Sequence, residues 1–240
     1  DADRLEALDA ALDYPLYFLL EDAIKGNKPP SEMEQKLEGR LSQSPAAVMA
    51  KSWVTFLDNH DQPGRFSRFL HGSAYQQQAA LAVTYLLTTL GIPCLYYGTE
   101  QGFDGGGEDD FWTRECMFGG EWGAFDTTGM HFFDPEHPLY QTIAKVAYIR
   151  ASHPELRYGR QYFRGISSDG AAFGVPGEMG TLAYSRILDD DEILIALNLQ
   201  ADRREDAIEV DAARTPPGGE VVNLMDEARY PIEANDSGIA

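Results

Sequence analysis

Residues Trp53 to Leu57 form a short run of β-branched and aromatic side chains, and the segment stops abruptly on Asn59, His60 and Asp61. Such a run reads as a strand buried on both faces, the habit of parallel sheets covered by helices. Consecutive polar side chains at the carboxyl end of a buried strand are costly unless they line a site or close a turn. In α/β proteins that end is where ligands sit. Asn59 and Asp61 are also ordinary turn formers, and the strand pattern alone does not separate the two readings.

The neighbouring segments bear on that choice. Residues Ala74 to Leu90 are largely apolar and predict a helix. Gly91-Ile92-Pro93-Cys94-Leu95-Tyr96-Tyr97-Gly98-Thr99-Glu100 follows as a second buried strand that ends in a carboxylate. Two strand-to-acid units joined by a helix are successive turns of a β/α barrel. Upstream, Tyr14 to Leu20 predicts a further buried strand, with Pro15 favouring a break at its start. Pro29-Pro30 halts the chain, and Ser31 with Glu34 three residues later is a capping-box signature for a helix running toward Leu41. Pro138 opens another helix, with Leu139, Ile143, Val146 and Ala147 on one face, which ends before Pro154.

From about Tyr158 the period changes. Short apolar runs recur at Gln161 to Ile166, Thr181 to Leu188, Glu192 to Leu199, Ala207 to Val210 and Glu220 to Leu224, separated by Gly, Pro and Asp clusters. That spacing predicts an antiparallel all-β sandwich with its boundary between Ser152 and Gly159. The expected fold class is therefore α/β: about three strands from the C-terminal part of a (β/α)8 TIM barrel over residues 1–155, then a β-sandwich domain over residues 156–240.

Composition narrows the partners. Nineteen basic residues against 39 acidic ones give a net charge of −20, which excludes a broad basic face for nucleic acid or anionic membrane. A neutral ligand such as a sugar is compatible with it. No stretch approaches the roughly 18 continuous apolar residues of a membrane span. Cys94 is expected inside a buried strand and Cys116 in a loop, so two free thiols are expected rather than a disulfide framework or a clustered zinc site. The acidic loop bearing Asp104, Glu108, Asp109 and Asp110 lacks EF-hand glycine spacing and reads as solvated rather than as a metal site.

With these residues in view, the chain resembles the carboxyl-terminal part of the α-amylase family, family 13 of the glycoside hydrolases. Phe56-Leu57-Asp58-Asn59-His60-Asp61 is similar to the family's strand-seven motif, and Gly91-Ile92-Pro93 through Tyr96-Tyr97-Gly98-Thr99-Glu100 to its strand eight. Arg114-Glu115 resembles the pair in the following loop, and the trailing β segment resembles domain C. The resemblance implies a retaining mechanism on α-glucosidic bonds, with a nucleophilic Asp after strand four, an acid/base Glu after strand five and a third Asp after strand seven.

The resemblance gives Asp61 that third role, as transition-state stabiliser, and has His60 contact the same sugar. Hydrogen bonds that strengthen as the sugar ring flattens toward an oxocarbenium ion lower the barrier, whereas uniform binding does not. Asn59, Arg65, Glu100 and Arg114 complete the expected substrate-binding set. In many members an Arg follows in a Pro-Arg-Phe run, whereas here Gly64 separates Pro63 from Arg65.

No segment resembles the family's Gly-x-Arg-x-Asp strand-four motif, and no acid/base Glu ends an earlier strand. A complete barrel takes about 250 residues, against the 155 that precede the β domain. The expectation is a chain that begins just after strand five, is catalytically incomplete alone, and associates with itself through the exposed edge of its partial barrel. Its expected partner is an α-glucan or oligosaccharide. Aromatic Tyr96, Tyr97, Trp112, Trp122 and Phe125 are candidates for stacking on sugar rings. No cofactor and no metal residue is assigned; the resemblance allows calcium in a full-length parent, where the family's calcium sites belong mostly to segments outside this chain.

Overall fold

The computed structural model describes residues 9–62, 65, 74–103, 105, 113–118 and 132–234. Its first part is a three-stranded parallel sheet in the order β1 (Ala11–Leu12), β2 (Trp53–Phe56), β3 (Ile92–Cys94). Ala11 pairs with Trp53, and Val54 with Ile92, so the three strands end side by side. Between β1 and β2 lie α1 (Tyr14–Ile24), α2 (Pro30–Leu41) and α3 (Ala46–Ser52), and between β2 and β3 lies α4 (Ala74–Thr88). The expected helix after residue 74 and the expected strand at Trp53 are both present.

The strand expected over Tyr14 to Leu20 is instead helix α1. Asp13 caps it by accepting the Leu16 amide at 2.9 Å, and Pro15 sits in the first turn, where a missing N–H costs nothing. Leu16, Leu19, Leu20 and Ala23 are buried at helical spacing, a period that emerges only when the window extends past Leu20. Arg40 from α2 clasps the Asp13 carboxylate and lies over the Trp53 ring, tying α2 to the β1 end.

The capping box at Ser31 and Glu34 also does not form. Helix α2 starts two residues earlier, at Pro30 with Pro29 as its cap, and the Ser31 amide donates to the Pro176 carbonyl instead. The second strand is shorter and barer than expected: β3 has only three residues, Ile92 is 37% exposed, and Cys94 is exposed rather than buried. Among the described residues strand β3 lies at the edge of the sheet, with a neighbour on one side only. Its tight approach to β2 requires Gly91, at φ +129°, because a Cβ there would stand 2.8 Å from the Thr55 methyl and 3.0 Å from the Trp53 carbonyl.

After β3 come a 3-10 turn (Thr99–Gln101), α5 (Pro138–Ser152) and the short α6 (Pro154–Tyr158). Every strand that follows pairs antiparallel. Strands β4 (Arg160–Phe163), β6 (Thr181–Leu188) and β7 (Asp191–Asn198) form one sheet, β5 (Ile166–Ser167) pairs with β8 (Ala207–Ile208), and β9 (Glu220–Val222) pairs with β10 (Arg229–Pro231). The β6 and β7 runs lie where their apolar patterns put them, whereas β10 was not anticipated.

The two parts share one core. Leu20 and Ile24 of α1, Val83 and Leu86 of α4, Leu139 of α5 and Leu156 of α6 pack in the same cluster as Leu182, Tyr184, Ile195 and Leu197 of β6 and β7. Polar side chains close the same junction. The last carbonyls of a helix have no partner within it, and α4 receives them from outside: Arg186 donates to the Thr88 carbonyl at 2.5 Å and Arg150 to the Leu87 carbonyl at 2.8 Å. Gln161 Oε1 accepts both the Leu90 amide, at 2.7 Å, and the Thr89 hydroxyl, at 3.0 Å. Burial pushes the Arg186 guanidinium down to about 10, with the nearby Tyr184 acting the other way.

Candidate active site

Strand β2 runs through buried Leu57 into Asp58, whose carboxylate accepts the Thr99 hydroxyl at 2.6 Å. Thr99 opens the turn after β3, so this bond ties the ends of two neighbouring parallel strands. Asp58 therefore has a holding role that the strand pattern did not single out, although it stands inside the motif. Beneath it, Tyr17 of α1 stacks on Phe56 at 5.0 Å, and its phenol is raised well above its ordinary value by burial, then by Glu21 and Asp58.

The chain then turns on Asn59, whose Oδ1 accepts the Asp61 and Gln62 amides, both at 2.8 Å. The turn reading of this residue is thus correct for its oxygen. Its Nδ2 is buried with no hydrogen-bond partner among the described residues. His60 and Asp61 project outward, their side chains 61% and 56% exposed, with His60 Nε2 at 3.1 Å from Asp61 Oδ1.

The segment Thr113–Cys116 comes back onto this corner. Arg114 donates from Nε to the His60 carbonyl at 3.1 Å, and its Nη2 lies 3.5 Å from Asp61 Oδ1. The Thr113 hydroxyl donates to the same His60 carbonyl at 3.2 Å. Of the expected site residues, Asn59, His60, Asp61 and Arg114 are thus brought together. Glu100 is half-buried in the turn after β3, next to the Thr99 that holds Asp58.

Arg65 is placed differently from the expectation of a substrate contact. Its side chain is 0% exposed and paired at 3.1 Å with Glu115, itself 0% exposed. It donates to the Tyr97 carbonyl at 2.6 Å and the Thr113 carbonyl at 3.0 Å. The Tyr96, Tyr97 and Phe103 rings surround it at 4.6, 5.1 and 5.3 Å. Two of the aromatics considered for sugar stacking therefore flank this cation instead. Trp112, Trp122 and Phe125, and Asp104, Glu108, Asp109 and Asp110 of the acidic loop, lie outside the described residues. Among the described residues no group of three or more His, Cys, Asp or Glu is placed to hold a metal ion, and no helix is long and apolar enough to cross a membrane.

Two parallel strand ends carrying an Asn-His-Asp corner, with an arginine laid over the aspartate, agree with the first comparison. Residues 4–122 match the family model for the α-amylase catalytic domain. The chain belongs to the α-amylase family. A β/α-amylase of Paenibacillus polymyxa is 35% identical over 167 residues, covering 66% of this chain and 12% of that protein. A cyclomaltodextrin glucanotransferase of Bacillus sp. (strain 1-1) is 34% identical over 116 residues, covering 48% of this chain and 14% of that one. The crystal structure of an α-amylase from Geobacillus thermoleovorans, complexed with acarbose, superposes with a TM-score of 0.70 at 21% identity, over 100% of this chain and 48% of its own. That likeness speaks for the fold alone. The chain spans less than half of that enzyme and about an eighth of the length of the two sequence relatives.

Proposed function

We propose that this chain carries the sugar-gripping corner of a retaining, α-glucan-active hydrolase or transglycosylase. In this reading residues 1–155 are strands six to eight of a (β/α)8 barrel and residues 156–240 are domain C. The observation that supports it best is the exposed Asp61 carboxylate at a parallel strand end, with His60 at 3.1 Å and Arg114 at 3.5 Å. Beside it the buried Asn59 Nδ2 has no partner among the described residues, a donor of the kind that a sugar hydroxyl would satisfy. Asp61 and His60 then grip the sugar at the point of cleavage and bind it more strongly as positive charge develops.

Retaining cleavage needs a nucleophile and an acid about 5 Å apart across the bond. Asp61 cannot supply both, and in this reading the two reactive carboxylates belong to strands four and five, outside these 240 residues. The chain alone is then expected not to turn over maltooligosaccharides or a nitrophenyl α-glucoside above an Asp61→Ala control. Turnover that depends on Asp61 would contradict the incomplete-site reading.

A second reading, a non-catalytic carbohydrate-binding or assembly module, is favoured by the open sheet. Leu12 of β1 and Ile92 of β3 are exposed on its two edge strands, an arrangement that invites pairing with another chain. Self-association predicts a sedimentation mass at least twice 26.6 kDa. A single species at the monomer mass would remove it.

A further inference from the structure

An enclosed ion pair is costly to desolvate, and an apolar pair of similar volume is often as stable or more so. Arg65 and Glu115 therefore call for a geometric reason. The pair joins three segments that converge only in the fold. Arg65 follows the Asn59–Asp61 corner, Tyr97 follows β3, and Thr113 and Glu115 flank Arg114. The planar guanidinium donates in separate directions, and here it reaches the Tyr97 and Thr113 carbonyls while its Nε faces Glu115. The Tyr97 hydroxyl returns to the Glu115 carbonyl at 2.9 Å, and Glu115 Oε1 accepts the Gly105 amide at 3.2 Å. The outer side of the same short segment delivers Thr113 and Arg114 to the His60 carbonyl and Arg114 to Asp61.

We infer that Arg65 and Glu115 are positioning residues: their buried pair pins Thr113–Glu115 to the strand ends so that Arg114 holds His60 and Asp61 in place for an α-glucan. The sugar part of this inference rests on the proposed function, and the pinning part does not. Arg65 does not touch the sugar in this account. It acts through Arg114, and its effect appears in how the corner is held.

The test uses the full 240-residue chain. Arg65→Met with Glu115→Leu removes both charges without leaving either buried alone, and Arg114→Ala removes the delivered cation. The double variant should keep the parent's far-ultraviolet circular dichroism and cooperative melt. Its amides over 113–118 and 59–62 should exchange with deuterium about tenfold faster while those of α4 stay unchanged, the mark of local rather than global opening. Its affinity for maltoheptaose by calorimetry should fall as far as that of Arg114→Ala, and combining all three changes should bring no further loss, because they remove one shared contact.

Unchanged exchange at both segments overturns the pin. Unchanged affinity in a parent that binds overturns the positioning role. If the double variant fails to fold, Glu115→Gln, which keeps the shape and a hydrogen-bonding group, is read by the same two measurements. A parent that binds no maltoheptaose counts against the glucan reading alone, and the exchange measurement then decides the pin by itself.

Discussion

The α4 junction and the Asn59–Asp61 corner both gather polar side chains, and they use them in opposite ways. At the junction Arg186, Arg150 and Gln161 are turned onto the last carbonyls and amides of α4 and the turn after it, inside a core shared by both halves of the chain. At the corner Asp61 and His60 face outward, and Asn59 Nδ2 has no partner among the described residues. The junction satisfies helix-end groups that no residue of α4 itself can reach. The corner is held by a local turn and by Arg114. Polar groups in the first region are enclosed in the fold, whereas the His60 and Asp61 side chains of the second are exposed.

Substitutions at the two regions should therefore separate stability from binding. The largest loss is expected for Arg186→Ala, which removes the donor to the Thr88 carbonyl and, at 2.9 Å, to the Gly159 carbonyl and opens a cavity: about 3–4 kcal/mol by urea unfolding. Gln161→Ala, which strands the Leu90 amide and the Thr89 hydroxyl, should cost about 1–2 kcal/mol. The smallest effect on stability belongs to Asp61→Ala, within about 0.5 kcal/mol, because its ion pairs are exposed. A corner substitution as costly as Arg186→Ala would erase the distinction between the regions.

Much of this contrast was legible in the sequence, but not evenly. Helix α4 and the β6–β7 pair were readable because each is a long run with clear breaks, and the short strand β2 because its residues are β-branched and aromatic. The Asn59–Asp61 corner was readable because polar residues at the end of a buried strand conflict with burial. Helix α1 was misread because Tyr14 to Leu20 is apolar at nearly every position, and only Ala23 and Ile24 complete the helical period. The exposure of Ile92 and Cys94 was hidden because a strand's burial depends on neighbours that its own residues do not specify. Arg65 read as a substrate contact because its place after Asp61 says nothing of Glu115, which reaches it only through the fold. The junction was invisible for the same reason: Arg186 meets Thr88 across 98 positions of chain.

The central claim is that the exposed corner binds an α-glucan without contributing to stability. Calorimetric titration of maltoheptaose into the parent chain and into Asp61→Ala, with melting curves for both, tests it most directly. The account predicts saturable binding in the parent, loss of binding in Asp61→Ala, and the same melting temperature for each. Equal binding by the two proteins, or none by the parent at millimolar sugar, would contradict it.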